Sequence, residues 1–319
     1  MIFIVPYCIN CCEKVDLLKK RTPELYQGVI AFTIAFVYLI FIAPFVSMFF
    51  NSIGMNILGV ITTQMVIAGI ALIFAIIIKV DFKETFPLRL PSIRDFFGAV
   101  FTYVGIYHIT ITASFIMMML FPAMSDTIEN LSTLTNIMPN PAIAVLVVAV
   151  MPAVCEELLM RGFILSSFSG QKSIVAIIIV GVMFGILHFD PFRFVPTAIL
   201  GMASAYIVIK TKSIVLPMLY HLVNNIMSVI AMYQLGDTEV TEIFGMDYNK
   251  MYIALVFIYF AFALVWGYIG ISLLNKKREN QKVTLIVVLI SIALFVGGII
   301  YMISNIDISQ YYSQLNINI

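Results

Sequence analysis

Long apolar runs, each about the length that crosses a bilayer and each ended by a short polar segment, set the pattern of this chain. Read as membrane spans of roughly 17 to 25 residues, they predict helices over Gly28–Phe50, Met55–Ile78, Phe96–Phe121, Ala142–Phe168, Ser173–Phe189, Phe194–Ile209, Ser213–Tyr233, Met251–Leu274 and Val283–Ile303. The sixth is the least regular: it is short, carries Pro196, Gly201 and Ser204, and is expected to be kinked or re-entrant. The pattern predicts an all-α fold, a polytopic transmembrane helix bundle. A segment 1–27 precedes the bundle of 28–304, and a polar tail 305–319 follows it. Met1–Pro6 is too short for a cleavable signal and a charged stretch follows it, so the first helix is expected to serve as the insertion signal.

Charge placement tests this division. Lys14, Lys19, Lys20 and Arg21 precede the first span, Lys79, Lys83, Arg89 and Arg94 follow the second, and Arg161 and Lys172 flank the end of the fourth. Lys210 and Lys212 follow the sixth, and Lys276, Lys277, Arg278 and Lys282 follow the eighth. Every basic residue except Arg193 and Lys250 therefore falls on one face, while Asp126, Glu129, Asp190, Asp237, Glu239, Glu242 and Asp247 lie on the other. The positive-inside rule makes the basic face cytoplasmic, with the N-terminus inside. The long loops 122–141 and 234–250 fall outside, and the cytoplasmic loop 79–95, with Phe82, Phe86, Leu88 and Leu90 among its charges, is expected along the interface.

Composition agrees. The chain is 62% hydrophobic and 11% charged, against about 25% charged in soluble domains. Its net charge of +1, with no basic surface, excludes nucleic acid as a partner and leaves the lipid bilayer as the surroundings. Cys8, Cys11 and Cys12 form a cluster without a second pair or a histidine nearby, so unmodified thiols on a cytoplasmic tail are preferred to a metal site; Cys155 is expected to pack as a small apolar residue.

Against this background the ionisable residues at membrane depth stand out. A charged side chain at the middle of a span costs roughly 2.5 to 3.5 kcal/mol on insertion scales, so such groups face a protein interior and find partners. Glu156 and Glu157 follow an uncharged run from Pro141 to Cys155. Glu157 and Arg161 stand four apart with the acid first, the favourable order for an ion pair, while Glu156 lies about 100° round the helix and needs a separate environment. His188 closes the fifth span, and His221 and Asn225 share one face of the seventh, with Asn224 directed elsewhere. His108, beside Thr110 and Thr112, reads as a hydrogen-bonded packing residue. Pro152 is expected to kink the fourth helix; Gly181 and Gly185 suit close helix packing, and Asp190-Pro191 a solvated turn.

Two imidazoles and a carboxylate, here Glu156, His188 and His221, suit zinc and leave a fourth position for water. Equally, a desolvated Glu156 could act as general base on a water shared with His188, with no metal. In either scheme Asn225, together with His221, could stabilise an oxyanion. Both chemistries hydrolyse an amide.

The ordered set Glu156-Glu157-x-x-x-Arg161, Phe184-x-x-x-His188 and His221-x-x-x-Asn225 resembles the CAAX protease and bacteriocin-processing (CPBP, or Abi) family of intramembrane proteases. The motif core, about 141–235, sits in a layout similar to that family's eight-helix core, with the ninth span outside it. The resemblance implies an endopeptidase of the bacterial plasma membrane acting on a peptide or membrane-protein substrate. It implies that Glu156 and His188 polarise the attacking water, that Glu157 is tied to Arg161, and that His221 and Asn225 support the oxyanion. Zinc remains an open alternative.

Two other classes stand beside this reading. A proton-coupled transporter would use the same buried groups as a relay, but the two halves show no repeated broken helices. A non-catalytic immunity or binding protein would not need every motif residue. The protease reading also meets a difficulty of depth: a fifth helix that crosses the membrane puts His188 near its outer end and Glu156 near the middle of the fourth, so tilt or an earlier start is required for a shared water.

Overall fold

A computed structural model describes residues 21–121, 138, 140–235, 248–275 and 281–306. All regular structure among them is helical. The helices are α1 (Leu25–Ser52), α2 (Asn56–Ile77), α3 (Ile93–Leu120), α4 (Pro141–Ser167), α5 (Ser173–Ile186), α6 (Pro191–Thr211), α7 (Val215–Leu235), α8 (Tyr248–Asn275) and α9 (Gln281–Ser304). They correspond one for one to the expected spans, and the chain is an integral membrane protein with a polytopic helical bundle. The cysteines at 8, 11 and 12, most of the two long outer loops, and the tail from 307 lie outside the described residues.

At the basic end the helices are stitched together by polar contacts. Thr22, before α1, meets Ser169, after α4, at 3.2 Å; Arg94 of α3 donates to the carbonyl of Leu273 in α8 at 3.0 Å; Ser213, before α7, donates to the carbonyl of Arg89, ahead of α3. The loop between α2 and α3 departs from an interfacial ribbon. Leu88 and Leu90 are exposed as expected, but one helical turn, Phe82–Thr85, tucks Phe86 into the bundle beside Gly162.

α4 is the centre. It packs on α2 along one side, on α7 along another, and meets α1, α5 and α6 with its later turns. The α3–α8 pair, with α9 on its flank, joins this core through α6. In α4, Pro152 has no N–H for the carbonyl four residues back, within the first of two wide stretches, and its ring crowds that carbonyl. The helix widens to π turns over Val145–Val150 and again over Leu158–Ile164, leaving an α segment, Met151–Glu157, between them. Wide turns of this kind concentrate at functional sites, and the two glutamates sit where the second begins.

Two spans differ from expectation. α6 runs as one helix of 21 residues: Asp190 caps it through the amides of Phe192 and Arg193, and Pro196, in its second turn, forfeits the bond to the carbonyl four residues back without ending the helix. α5 is shorter than expected, ending at Ile186; its 14 residues rise only about 21 Å, short of a hydrocarbon layer of about 30 Å. The chain turns back through Phe189, which holds a left-handed backbone with φ 51° and packs its ring on Phe36 at 5.3 Å. That conformation is uncommon for a bulky residue.

Candidate active site

The difficulty of depth is met by contact: Glu156 and His188 line one cavity, with His188 in the turn that follows the 14-residue α5. Close contact holds that turn in place: Cβ atoms added at Gly181 and Gly185 would lie 2.9 Å and 2.8 Å from the carbonyls of Ala198 and Phe194, so α5 and α6 approach backbone to backbone.

Glu157 and Arg161 are each 1% exposed, and Arg161 Nη1 lies 2.9 Å from Glu157 Oε1. The guanidinium also donates through Nη2 to the carbonyl of Gly201 at 3.4 Å and lies 4.2 Å above the ring of Phe184, a cation–π contact. The same carboxylate oxygen, Oε1, accepts from Nδ1 of His221 at 3.1 Å. With Nδ1 so engaged, Nε2 of His221 faces Glu156, 3.8 Å from its Oε2. The two glutamates therefore do not have separate environments: one imidazole, with its nitrogens on opposite edges, reaches both.

Glu156 has a further partner in α2, where Gln64 Nε2 donates to its Oε1 at 3.2 Å. A cavity of about 100 Å3 is lined by Gln64, Thr63, Glu156 and His188. One water needs about 10–15 Å3 of such space and two or more polar partners, so this cavity accommodates several. His188 Nδ1 donates to the carbonyl of Phe184 at 2.9 Å, which leaves Nε2 as an acceptor. Phe184 sits edge-on to both imidazoles, 4.9 Å from His188 and 5.7 Å from His221, and so fixes both rings.

A second cavity, about 50 Å3, is lined by His188 and His221 together with Asn224, Asn225 and Tyr220. Asn224, expected to face elsewhere, borders it too, and its Nδ2 lies 3.5 Å from Asn225 Oδ1. That contact occupies the carbonyl of Asn225 and leaves its amino group as a donor. His188 borders both cavities, and so stands between the Glu156 carboxylate on one side and His221 and Asn225 on the other.

His108 stays apart, its Nδ1 bonded to the carbonyl of Val104 and its ring among Tyr107, Tyr259 and Phe262. Cys155 is a buried free thiol. Among the described residues no three His, Cys, Asp or Glu side chains are disposed to hold a metal ion. Gln64 escaped the sequence reading, although a glutamine within an apolar span is itself a signal of a polar interior.

Residues 138–227 match the family model described as type II CAAX prenyl endopeptidase Rce1-like. The match takes in α4, α5, α6 and the first part of α7, and with them all three motifs. The resemblance carried by those motifs therefore holds over the segment that builds the site, and at family level it points to an intramembrane CAAX-type endopeptidase with a peptide or protein substrate. Neither a curated protein nor a solved structure matches the chain.

Proposed function

We propose that this chain hydrolyses a peptide bond at membrane depth, and that Glu156 and His188 activate the attacking water. The observation that carries the reading is the shared cavity bordered by the Glu156 carboxylate and the His188 imidazole, with Nδ1 of His188 already committed to a backbone carbonyl. A water between them has an acceptor for each of its protons, Glu156 on one side and Nε2 of His188 on the other. Its remaining lone pair is then free to attack the carbonyl carbon of a substrate.

In this scheme one water proton passes to Glu156 as the C–O bond forms. The carbonyl oxygen becomes an oxyanion, stabilised by the amino group of Asn225 together with His221. Glu156 then returns the proton to the departing amine as the C–N bond breaks, giving a carboxylic acid and an amine. Glu157 and Arg161 are positioning residues: the ion pair holds the carboxylate that fixes His221. Gln64 positions Glu156 in the same way from α2. The N-terminus and the basic face are assigned to the cytoplasm in the same reading, from the placement of lysine and arginine.

Purified protein in liposomes, turning over a peptide substrate in 18O-labelled water, should place the label in the new C-terminal carboxyl. Glu156→Gln and His188→Ala should each lower turnover by about 100-fold or more with the fold retained. Undiminished cleavage by Glu156→Gln would sink the scheme.

A further inference from the structure

A larger cavity lies apart from the one that holds the proposed water. It measures about 520 Å3, opens at the basic end of the bundle, and includes Glu84, Thr85, Arg89, Arg161 and Lys212 in its lining. Arg161 borders this cavity and the one at His221 alike, so its guanidinium is a wall common to both.

Two fully buried side chains on this wall have unmet hydrogen-bonding capacity. Arg161 is 1% exposed and its Nε has no hydrogen-bond partner; Thr85 is 0% exposed and its hydroxyl has none. A buried donor without an acceptor costs about 1–3 kcal/mol. At the mouth Lys212 is exposed and makes no ion pair among the described residues, and Arg89 contacts Glu84 at 3.3 Å. The mouth is also preformed: Ile214 donates to the carbonyl of Pro87 at 3.0 Å and Ser213 to that of Arg89, pinning the Thr85–Arg89 segment to the α6–α7 turn. Guanidinium, ammonium and hydroxyl donors around a space of this size suit an oxyanion and whatever is attached to it.

We infer that this cavity is an anion-binding site that takes a phosphate group, either the headgroup of an anionic lipid or a soluble phosphate. Basic pockets between helix ends at a membrane surface favour such groups. The site needs neither Glu156 nor His188, and it shares only the Arg161 wall with the proposed hydrolysis.

The test uses the full chain in phosphatidylcholine nanodiscs, with thermal unfolding followed in inorganic phosphate and in chloride at equal ionic strength. It is repeated in chloride with phosphatidylglycerol added to the nanodiscs. A midpoint raised by phosphate identifies a soluble oxyanion, and one raised by phosphatidylglycerol identifies a lipid phosphate; either supports the site. Lys212→Gln should weaken the apparent affinity about tenfold or more. Thr85→Val should raise the midpoint without ligand, because an unpaired buried hydroxyl is removed, and should weaken the response to the anion. Glu156→Gln should respond like the parent, which separates this site from the proposed catalysis. No shift with either anion, or a parental response from both Lys212→Gln and Thr85→Val, overturns the inference.

Discussion

Removing either member of the Glu157–Arg161 pair should be among the most damaging single changes in the chain. Both side chains are 1% exposed. Glu157 Oε2 has no hydrogen-bond partner, so the carboxylate already depends on Oε1, which meets Arg161 and His221. Arg161→Met leaves that charge with the imidazole alone, and Glu157→Gln leaves a buried guanidinium opposite a neutral amide. Breaking one side of a buried pair costs about 3–5 kcal/mol, against about 0–1 kcal/mol for an exposed one. The double variant removes both charges, and the carbonyl of its substituted amide side chain still accepts from His221. Its loss should therefore fall short of the sum of the two singles by about 2–3 kcal/mol, near the top of the range for directly coupled residues. Reversible unfolding of the four proteins by dodecyl sulfate in mixed micelles measures the cycle. Single losses that add to within about 0.5 kcal/mol would refute the reasoning, since independent sites behave that way. Turnover gives a second readout: the double variant should regain stability while staying slow, because an amide holds His221 less firmly than a carboxylate does.

Other changes probe the site separately. Gln64→Leu, close in size, should lower kcat about tenfold with little change in unfolding midpoint, as expected for one lost hydrogen bond to a charged group; an unchanged kcat would show that Glu156 needs no support from α2. Asn225→Ala should lower kcat by about 100-fold or more while KM moves little, as removal of an oxyanion donor does. Gly185→Val forces a side chain against the Phe194 carbonyl, 2.8 Å from its Cβ, and should cost about 1–3 kcal/mol in unfolding experiments and slow turnover by displacing His188. Dialysis against a chelator should leave turnover intact, as a scheme with Glu156 as general base and no metal requires; activity lost and restored by zinc would show that a metal takes part.

The helices were legible because each is an apolar run bounded at one end by lysine or arginine, and that signal depends on neither packing nor backbone detail. The ion pair of Glu157 and Arg161 was legible from spacing alone, since four residues bring two side chains together even across a wide turn. What could not be read depends on tertiary contact or on local backbone. The end of α5 is invisible to hydropathy, because Leu187 and Phe189 continue the apolar run while the backbone has already turned at Phe189. Pro196 suggested a broken sixth helix, yet α6 continues through it to Thr211. A wheel of about 100° per residue separates Glu156 from Glu157, and only the imidazole of α7 reunites them. Asn224 borders the cavity with Asn225 although the wheel sends it away. Gln64, ninety-two positions from Glu156, meets it only because α2 packs on α4.

The claim that Glu156 takes a proton from water to cleave peptides is tested most directly by comparative peptidomics of cells producing the parent or its Glu156→Gln form at equal abundance. New C-termini should appear in membrane-associated peptides or proteins with the parent and be missing with the variant, as with His188→Ala. Identical peptide profiles from parent and variant would contradict the account.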